Sequence, residues 1–229
     1  MRKIIGIILL VIIAWGIIIS LQNVPFGTSR TEVADHYINK GIEETGAANI
    51  VTSVVVNYRS LDTLGEVTVL FLAAIGLGAV LASTIRKKED RDTEKASLIL
   101  STGCKFLFPF ILLFGAYIFI HGHLTPGGGF QGGAIIASAF LLMYLGCYKE
   151  KRINETGIII SESLGGLVFV VIGLIGLLVG AHYFLNNFMP KGEFNTLLSA
   201  GIIPIIYVAI GFKVGSELSK IIDLLMEES

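Results

Sequence analysis

Charged residues are scarce in this sequence of 229 residues. Asp, Glu, Lys and Arg make up 15% of the chain, whereas 53% of the residues are hydrophobic and the mean hydropathy is +0.77. A soluble domain must cover its surface with more polar side chains than this, so the composition excludes that class and indicates a membrane protein. The net charge of -1 also leaves no polybasic face for nucleic acid.

Cysteine is nearly absent as well. Cys104 and Cys147 are the two cysteines of the chain, and they lack the C-x-x-C spacing that a metal or redox pair would need. The histidines are not spaced for iron–sulfur or haem ligation either. The sequence therefore predicts no cofactor and no metal, with both thiols as small buried side chains. Any electron-transfer chemistry would belong to partner proteins.

Two further absences define the fold class. The apolar runs lack the period-two alternation of barrel strands, and the run after Met1 lacks an A-x-A cleavage site, so we interpret it as a retained helix. An apolar stretch of about 20 residues spans the ~30 Å hydrocarbon layer as a helix. The sequence therefore predicts an all-α, polytopic membrane protein with about six transmembrane helices. The predicted helices lie roughly at 4–21, 64–85, 98–120, 132–148, 158–180 and 198–217.

Basic residues fall mainly on one side of this six-helix arrangement. Arg2 and Lys3 share a side with the dense charge run at 86–95 and with the basic segment at 149–152. Lys and Arg near helix ends are retained on the cytoplasmic side of a membrane. We therefore expect a multi-pass protein of the cell membrane with both termini cytoplasmic. The segments expected on the outside are 22–63, 121–131 and 181–197.

The charge run at 86–95, which reads RKKEDRDTEK, also suggests a boundary. It divides the chain into a two-helix part, residues 1–96, and a four-helix part, residues 97–229. The alternative is a solvated loop that only sets the topology, as charged loops do in many membrane proteins.

A glycine-rich segment separates the third and fourth predicted helices. Residues 121–133 read HGHLTPGGGFQGG, with five glycines among the last seven residues. Each glycine inside a helix costs about 1 kcal/mol relative to alanine, and Pro126 removes an amide donor, so we expect irregular backbone throughout this segment. It is either an ordinary glycine turn or a tightly packed loop whose backbone and Phe130 support an ion path. The candidate loop residues are His121, Pro126, Gly127, Gly128, Gly129, Phe130, Gln131, Gly132 and Gly133.

The string PGGGFQGG, preceded by histidine and placed between two transmembrane helices, resembles the signature of the MrpB subunit of Mrp-type multisubunit cation/proton antiporters. It also resembles the relatives of MrpB in membrane-bound hydrogenases, and the likeness extends over residues 97–229. Residues 49–74 look like the carboxy-terminal tail of the large MrpA subunit of the antiporters, where a D-T-x-G-E string enters a helix. The matching residues are Asp62, Thr63, Gly65 and Glu66.

The resemblance implies a hetero-oligomer with other Mrp-like membrane subunits that moves sodium ions and protons across the lipid bilayer. A stand-alone antiporter usually carries the tail on its large subunit, whereas hydrogenase-type complexes have it as a separate piece. Fusion of the tail to an MrpB-like part departs from both and favours an Mrp-like module within a respiratory complex that has a hydrogenase-like peripheral arm. This chain would be a non-catalytic subunit of it. A stand-alone sodium/proton antiporter and a structural anchor for a soluble enzyme stay open as alternatives.

Ionisable side chains inside the apolar runs are candidates for the ion path, because a charge in the bilayer costs about 2.5–3.5 kcal/mol. The resemblance places an ion-pathway carboxylate at Glu66. Thr63 and Glu66 also have capping-box spacing, so Glu66 is alternatively a helix cap. Asp62 is expected to pair with Arg59 or to cap the helix rather than to act in a relay.

Glu162, Lys213 and His121 complete the candidates. Glu162 lies about one turn inside the fifth predicted helix, where it faces a polar cavity, extends toward the membrane surface or pairs with Arg152. Lys213 and Glu217 are four residues apart and are expected to form a pair, with Lys213 as a candidate relay group. His121 is a candidate proton carrier because the pKa of an unperturbed histidine lies near neutrality.

Overall fold

The computed structural model describes residues 2–22, 31–84, 96–147, 155–180 and 183–228. Within these ranges the chain is helical and contains no strand, so the predicted all-α class is confirmed. The elements in chain order are α1 (Arg2–Gln22), α2 (Glu32–Thr45), α3 (Ile50–Thr52), a π-helix (Ser53–Tyr58), α4 (Ser60–Thr84), α5 (Leu98–Ile120), α6 (Gly129–Cys147), α7 (Glu155–Gly180) and α8 (Ile203–Glu228).

Four of the described helices are long and apolar enough to cross a membrane, and they make the chain a multi-pass membrane protein. The apolar part of α1, Gly6–Gln22, is shorter. Helix α8 has 26 residues, about 39 Å of length, but carries charged side chains along its apolar sequence. These two helices correspond to the first and last predicted spans. The four apolar spans are Ser60–Leu81, Leu98–Ile120, Gly129–Gly146 and Thr156–Gly180.

Helix α5 occupies the range that the sequence predicts, whereas α8 begins later than predicted. The Ser97 hydroxyl caps α5 by accepting a hydrogen bond from Leu100 N at 3.2 Å. The start of α8 at Ile203 rather than residue 198 follows from Ala200 and Gly201, whose φ angles are 66° and 58°. A right-handed helix cannot include this left-handed backbone.

Residues 22–63, predicted only as an outside segment, contain helical structure in their described part. The Asn49 side chain caps α3 by accepting from Val51 N at 3.1 Å. The following π-helix is closed by the bond from Arg59 N to Val54 O, 2.7 Å, which joins residues five apart. A single π-helical turn is rare and often occurs at functional sites.

Glycines bring α6 close to both α5 and α8. A Cβ atom on Gly132 would lie 2.7 Å from Gly115 O of α5, and one on Gly133 would lie 2.8 Å from Gly215 N of α8. These close contacts compensate for the poor helix propensity of glycine. The prediction of irregular backbone is therefore right for residues 121–128 and wrong for Gly129 onward, where α6 has already begun.

By packing, the chain forms two compact units, Met1–His36 and Tyr37–Ser229. The first contains α1, whose described side chains are largely exposed. In the second, α4, α5, α6 and α7 all pack against α8. The buried α8 residues at the centre of this core are Ile203, Ile206, Tyr207, Ile210 and Val214. The boundary predicted between residues 96 and 97 stays a prediction.

Candidate functional site

The loop between α5 and α6 is held by side chains from two distant parts of the chain. Gly122 O accepts hydrogen bonds from Asn49 Nδ2 at 3.0 Å and from Thr52 Oγ1 at 2.7 Å. The Tyr207 hydroxyl of α8 donates to Thr52 Oγ1 at 2.8 Å, and Asn49 N donates to His123 O at 3.0 Å. The loop is therefore tightly packed against these segments, while its part in an ion path stays a prediction.

Tyr207 also explains why glycine is needed in this loop. A Cβ atom on Gly122 would lie 2.7 Å from the Tyr207 ring, and one on Gly129 would lie 2.9 Å from Tyr207 O. Phe130 packs against the core. Among the other predicted motif residues, Gly127 is half-buried, and Pro126 and Gln131 are exposed. The buried motif glycines are Gly128, Gly129, Gly132 and Gly133.

The two histidines of the motif have different surroundings. His121 is half-buried, stacks on Tyr117 with ring centroids 4.2 Å apart, and places Nδ1 3.1 Å from Tyr117 O. His123 is completely buried, with Nε2 3.3 Å from Thr196 O and no hydrogen bond to Nδ1 from the described residues. Burial lowers the pKa of His123, which favours the neutral ring.

Glu66 lies exposed on the first apolar span, about 9 Å along the helix axis from Ser60. Val69, one turn further on the same face, is 66% exposed. The capping alternative is wrong, because α4 begins three residues before Thr63 and the Thr63 hydroxyl donates to Val55 O at 2.8 Å. Glu66 thus points away from the rest of this chain.

Asp62 shares the exposed face of α4 with Glu66, one turn earlier. Arg59 Nε donates to Asp62 Oδ2 at 2.6 Å, as the sequence predicts. Both side chains are more than half exposed, at 61% for Arg59 and 54% for Asp62. An exposed pair of this kind contributes less than about 1 kcal/mol to stability, so its main effect is to balance the charge beside Glu66.

The predicted pair of Lys213 and Glu217 is present and is buried inside the bundle. Lys213 is 8% exposed and Glu217 is 0% exposed, and Lys213 Nζ donates to Glu217 Oε1. The ammonium also lies 5.0 Å from the centre of the Phe71 ring of α4. The spacing of the two residues predicts the pair, but Glu217 itself was not among the sequence candidates.

Glu162 lies beside a lysine of α8, and its predicted place at a polar cavity stays a prediction. Its Oε2 lies 3.9 Å from Lys220 Nζ, and the Glu162 side chain is 11% exposed. The alternative partner, Arg152, lies outside the described residues. The structure therefore brings Glu162 and Lys213 to the same side of α8, while Glu66 and Asp62 lie together on the outer face of α4 and His121 lies in the loop.

Thr52 and Tyr207, which hold the motif loop, were not predicted from the sequence. The available signal is their polar character within apolar segments, since buried polar groups must find partners. Asn49 could have been found by its position as a helix cap directly before Ile50.

The fold and these side chains define a multi-pass membrane protein with a buried charge pair and a carboxylate exposed on an apolar span. Residues 99–220, more than half of the chain, match the family model described as a domain related to the MnhB subunit of Na⁺/H⁺ antiporter, and residues 1–94 match the model of MbhE, a subunit of MBH. The chain belongs to the MnhB family and is a subunit of an antiporter-type membrane module. The resemblance found in the sequence is thereby confirmed.

Individual relatives and solved structures agree with this assignment. An uncharacterized protein of Methanocaldococcus jannaschii is 31% identical over 228 residues, covering 89% of this chain and 84% of the relative. The B-type subunit of the Na⁺/H⁺ antiporter of Alkalihalophilus pseudofirmus is 37% identical over 100 residues, covering 43% of this chain and 69% of the relative.

Among solved structures, a chain of the membrane-bound sulfane sulfur reductase, an archaeal respiratory membrane complex, is 48% identical with a TM-score of 0.77, and 98% of each chain is covered. A chain of the Mrp complex from Dietzia sp. DQ12-45-1b is 24% identical with a TM-score of 0.69. That match covers 98% of this chain and 26% of the other, and it shows a shared fold.

Proposed function

We propose that this chain is a non-catalytic subunit of a sodium/proton antiport module within a membrane-bound respiratory complex, where it forms part of the cation path. The likeness to the sulfane sulfur reductase chain supports the parent complex, because it extends over 98% of both chains at 48% identity. In such a complex the electron chemistry belongs to a peripheral arm, and both termini of this chain are cytoplasmic.

The exposed carboxylate of Glu66 carries this proposal. A charge on a lipid-facing helix surface costs about 2.5–3.5 kcal/mol, and Glu66 forms no ion pair within the described residues. We therefore expect a polar surface of a neighbouring membrane subunit beside it. A carboxylate oxygen at a subunit boundary can bind a dehydrated cation such as Na⁺, since hard cations prefer oxygen ligands. Arg59 already balances the neighbouring Asp62, which leaves Glu66 as the carboxylate available for the cation.

Replacement of Glu66 tests this role in the intact complex. Glu66→Gln keeps the size of the side chain and removes the charge, so sodium transport into inside-out membrane vesicles should fall about tenfold or more while the complex still assembles. A tenfold loss of cation affinity corresponds to about 1.4 kcal/mol, less than the cost of an isolated membrane charge. Glu66→Asp should retain part of the activity because the charge is kept with a shorter reach.

Glu43→Gln is the matched control, because Glu43 is also an exposed carboxylate but lies on α2, outside the four apolar spans. Its transport should equal that of the wild type. If Glu66→Gln transports sodium at the wild-type rate, Glu66 is not part of the cation path. Sodium/proton exchange by the complex without any electron donor would support a stand-alone antiporter, and an active reductase that moves no cation would support a structural anchor.

A further inference from the structure

Helix α8 carries four titratable side chains on one face. Lys213, Glu217, Lys220 and Asp223 are separated by four, three and three residues, which places them one above another along about 15 Å of helix. We call these four residues the α8 stripe. An amphipathic surface helix would turn such a face toward water, whereas this face lies partly inside the helix bundle.

The buried half of the α8 stripe, Lys213 and Glu217, contains a carboxylate with unused hydrogen-bonding capacity. Glu217 is 0% exposed, Lys213 Nζ donates to its Oε1, and its Oε2 is buried without a hydrogen bond to any described residue. Burying an ion pair costs several kcal/mol per ion, and this cost is recovered only when the remaining lone pairs are also satisfied. The ion pair by itself is therefore not expected to stabilise the fold, and the Glu217 Oε2 atom can accept a proton.

The outer end of the stripe connects the buried pair to more accessible groups. Lys220 has a side chain that is 45% exposed and lies 3.9 Å from Glu162 Oε2 of α7. Tyr144 of α6 donates from its hydroxyl to Asp223 Oδ1 at 2.6 Å. Titratable groups from three helices thus follow one another from Glu217 toward the end of α8.

Glycines of α7 leave space beside the lysine of the pair. A Cβ atom on Gly166 would lie 3.4 Å from Lys213 Cδ and 3.9 Å from Lys213 Nζ, and one on Gly165 would lie 3.1 Å from Lys213 Cβ. The Lys213 side chain accordingly runs along a helix surface that presents no side chain at these two positions. Its ammonium can move away from Glu217 without displacing a neighbouring side chain of α7 at these positions.

We propose that Glu217 is a proton-binding site inside the bundle and that the α8 stripe is the path by which the proton reaches it. Uptake of one proton at the Glu217 carboxylate gives a carboxylic acid and releases the Lys213 ammonium from its ion pair. Loss of the same proton restores the carboxylate and the pair, so no other group is consumed. This inference rests on the proposed function, because the step supplies the proton side of the antiport.

The groups that face the stripe set the conditions for this protonation. On α8 itself these are Lys213, Lys220 and Asp223, on α7 the group is Glu162, and on α6 it is the Tyr144 hydroxyl. From α4 the Phe71 ring faces the ammonium and stabilises its charge through a cation–π contact.

Infrared difference spectroscopy of the purified complex between high and low pH tests the site directly. The wild type should show the C=O stretch of a carboxylic acid at low pH, and Glu217→Gln should lose that band. Glu217→Asp, which keeps an acid in a slightly different position, should show the band at a shifted frequency. A spectrum that is unchanged by both variants would overturn the proposal.

The neutral double variant Lys213→Met with Glu217→Gln separates a proton site from a static ion pair. Because it leaves no unpaired charge, the complex should still assemble, and proton transport should fall about tenfold or more. The control is Lys40→Met with Glu43→Gln, which neutralises an exposed pair on α2 with a 2.8 Å contact and should transport normally. Normal proton transport by the Lys213/Glu217 double variant would show a purely structural pair.

The same measurements distinguish this proposal from the proposed sodium function. If the wild-type complex moves protons with no dependence on sodium and the Glu217 band is present, the sodium role fails and the proton site stands. If sodium-coupled transport is normal in the wild type and the band is absent, the proton site fails alone.

Discussion

Replacing Gly133 with alanine would add one methyl group between α6 and α8. The new Cβ atom would lie 2.8 Å from Gly215 N, 2.9 Å from Val214 Cβ and 3.0 Å from Gly211 O. Two of these three atoms belong to the backbone of α8, so no change of side-chain rotamer can make room. The helices must separate by several tenths of an ångström, and the neighbouring contact of Gly132 with α5 opposes a shift of α6 in the other direction.

The expected change in the free energy of unfolding is the difference between two opposing effects. Alanine in place of a helical glycine stabilises by roughly 0.5–1 kcal/mol through its better propensity. Overpacking a close contact destabilises by typically 1–3 kcal/mol, and backbone atoms place Gly133 in the upper half of that range. We therefore expect Gly133→Ala to lose about 1–2.5 kcal/mol in net stability.

Gly103→Ala on α5 is the matched control, because a Cβ atom there would meet no other atom within 4 Å. It should gain about 0.5–1 kcal/mol, so the two variants should differ by roughly 2–3 kcal/mol. The measurement is denaturant-induced unfolding of the complex in detergent, followed by tryptophan fluorescence and by retention of subunits. Equal stability of the two alanine variants would refute the close approach of α6 and α8.

Two further predictions concern pH and topology. Because burial lowers the pKa of His123, the folded protein binds fewer protons there than the unfolded chain between that lowered pKa and about 6.5, so stability rises with pH through this window. The melting temperature of the complex should therefore fall on acidification from pH about 7.5 to about 5.5, and His123→Gln should make this fall smaller. An equal fall of the melting temperature in the wild type and in His123→Gln would contradict the prediction. For topology, single cysteines at positions Asp90 and Asn195 should be labelled from opposite sides of sealed vesicles, with Asp90 cytoplasmic. Labelling of both from one side would contradict the six-helix arrangement.

The apolar runs predicted the long helices because their length follows directly from the thickness of the bilayer. Helix α5 begins and ends where its run does, since Ser97 caps it and the polar motif follows Ile120. Helix propensity gave a wrong prediction at the start of α6, where it indicated irregular backbone from Gly129 onward. The cost of placing these glycines in a helix is compensated by contacts of α6 with α5 and α8. Such contacts between segments distant in sequence cannot be derived from propensity.

The candidate site was predicted in its residue types rather than in its geometry. The i, i+4 spacing predicts that Lys213 and Glu217 meet, but the burial of Glu217 depends on the helices that surround α8. In the same way, Thr63 and Glu66 have the spacing of a capping box, yet the π-helix extends the preceding helical structure and α4 begins earlier, at Ser60. The exposed position of Glu66 follows from the tertiary packing of α4.

The hydrogen bonds from Asn49 and Thr52 to Gly122 O join the part of the chain that matches one family model to the part that matches another. On two separate polypeptides these contacts would form at a rate set by the concentration of each partner. Within one polypeptide the partners meet at an effective concentration in the millimolar range or above, whatever the level of expression. The fusion also fixes the ratio of the two parts at one to one, so the motif loop is always made together with the segment that holds it in place.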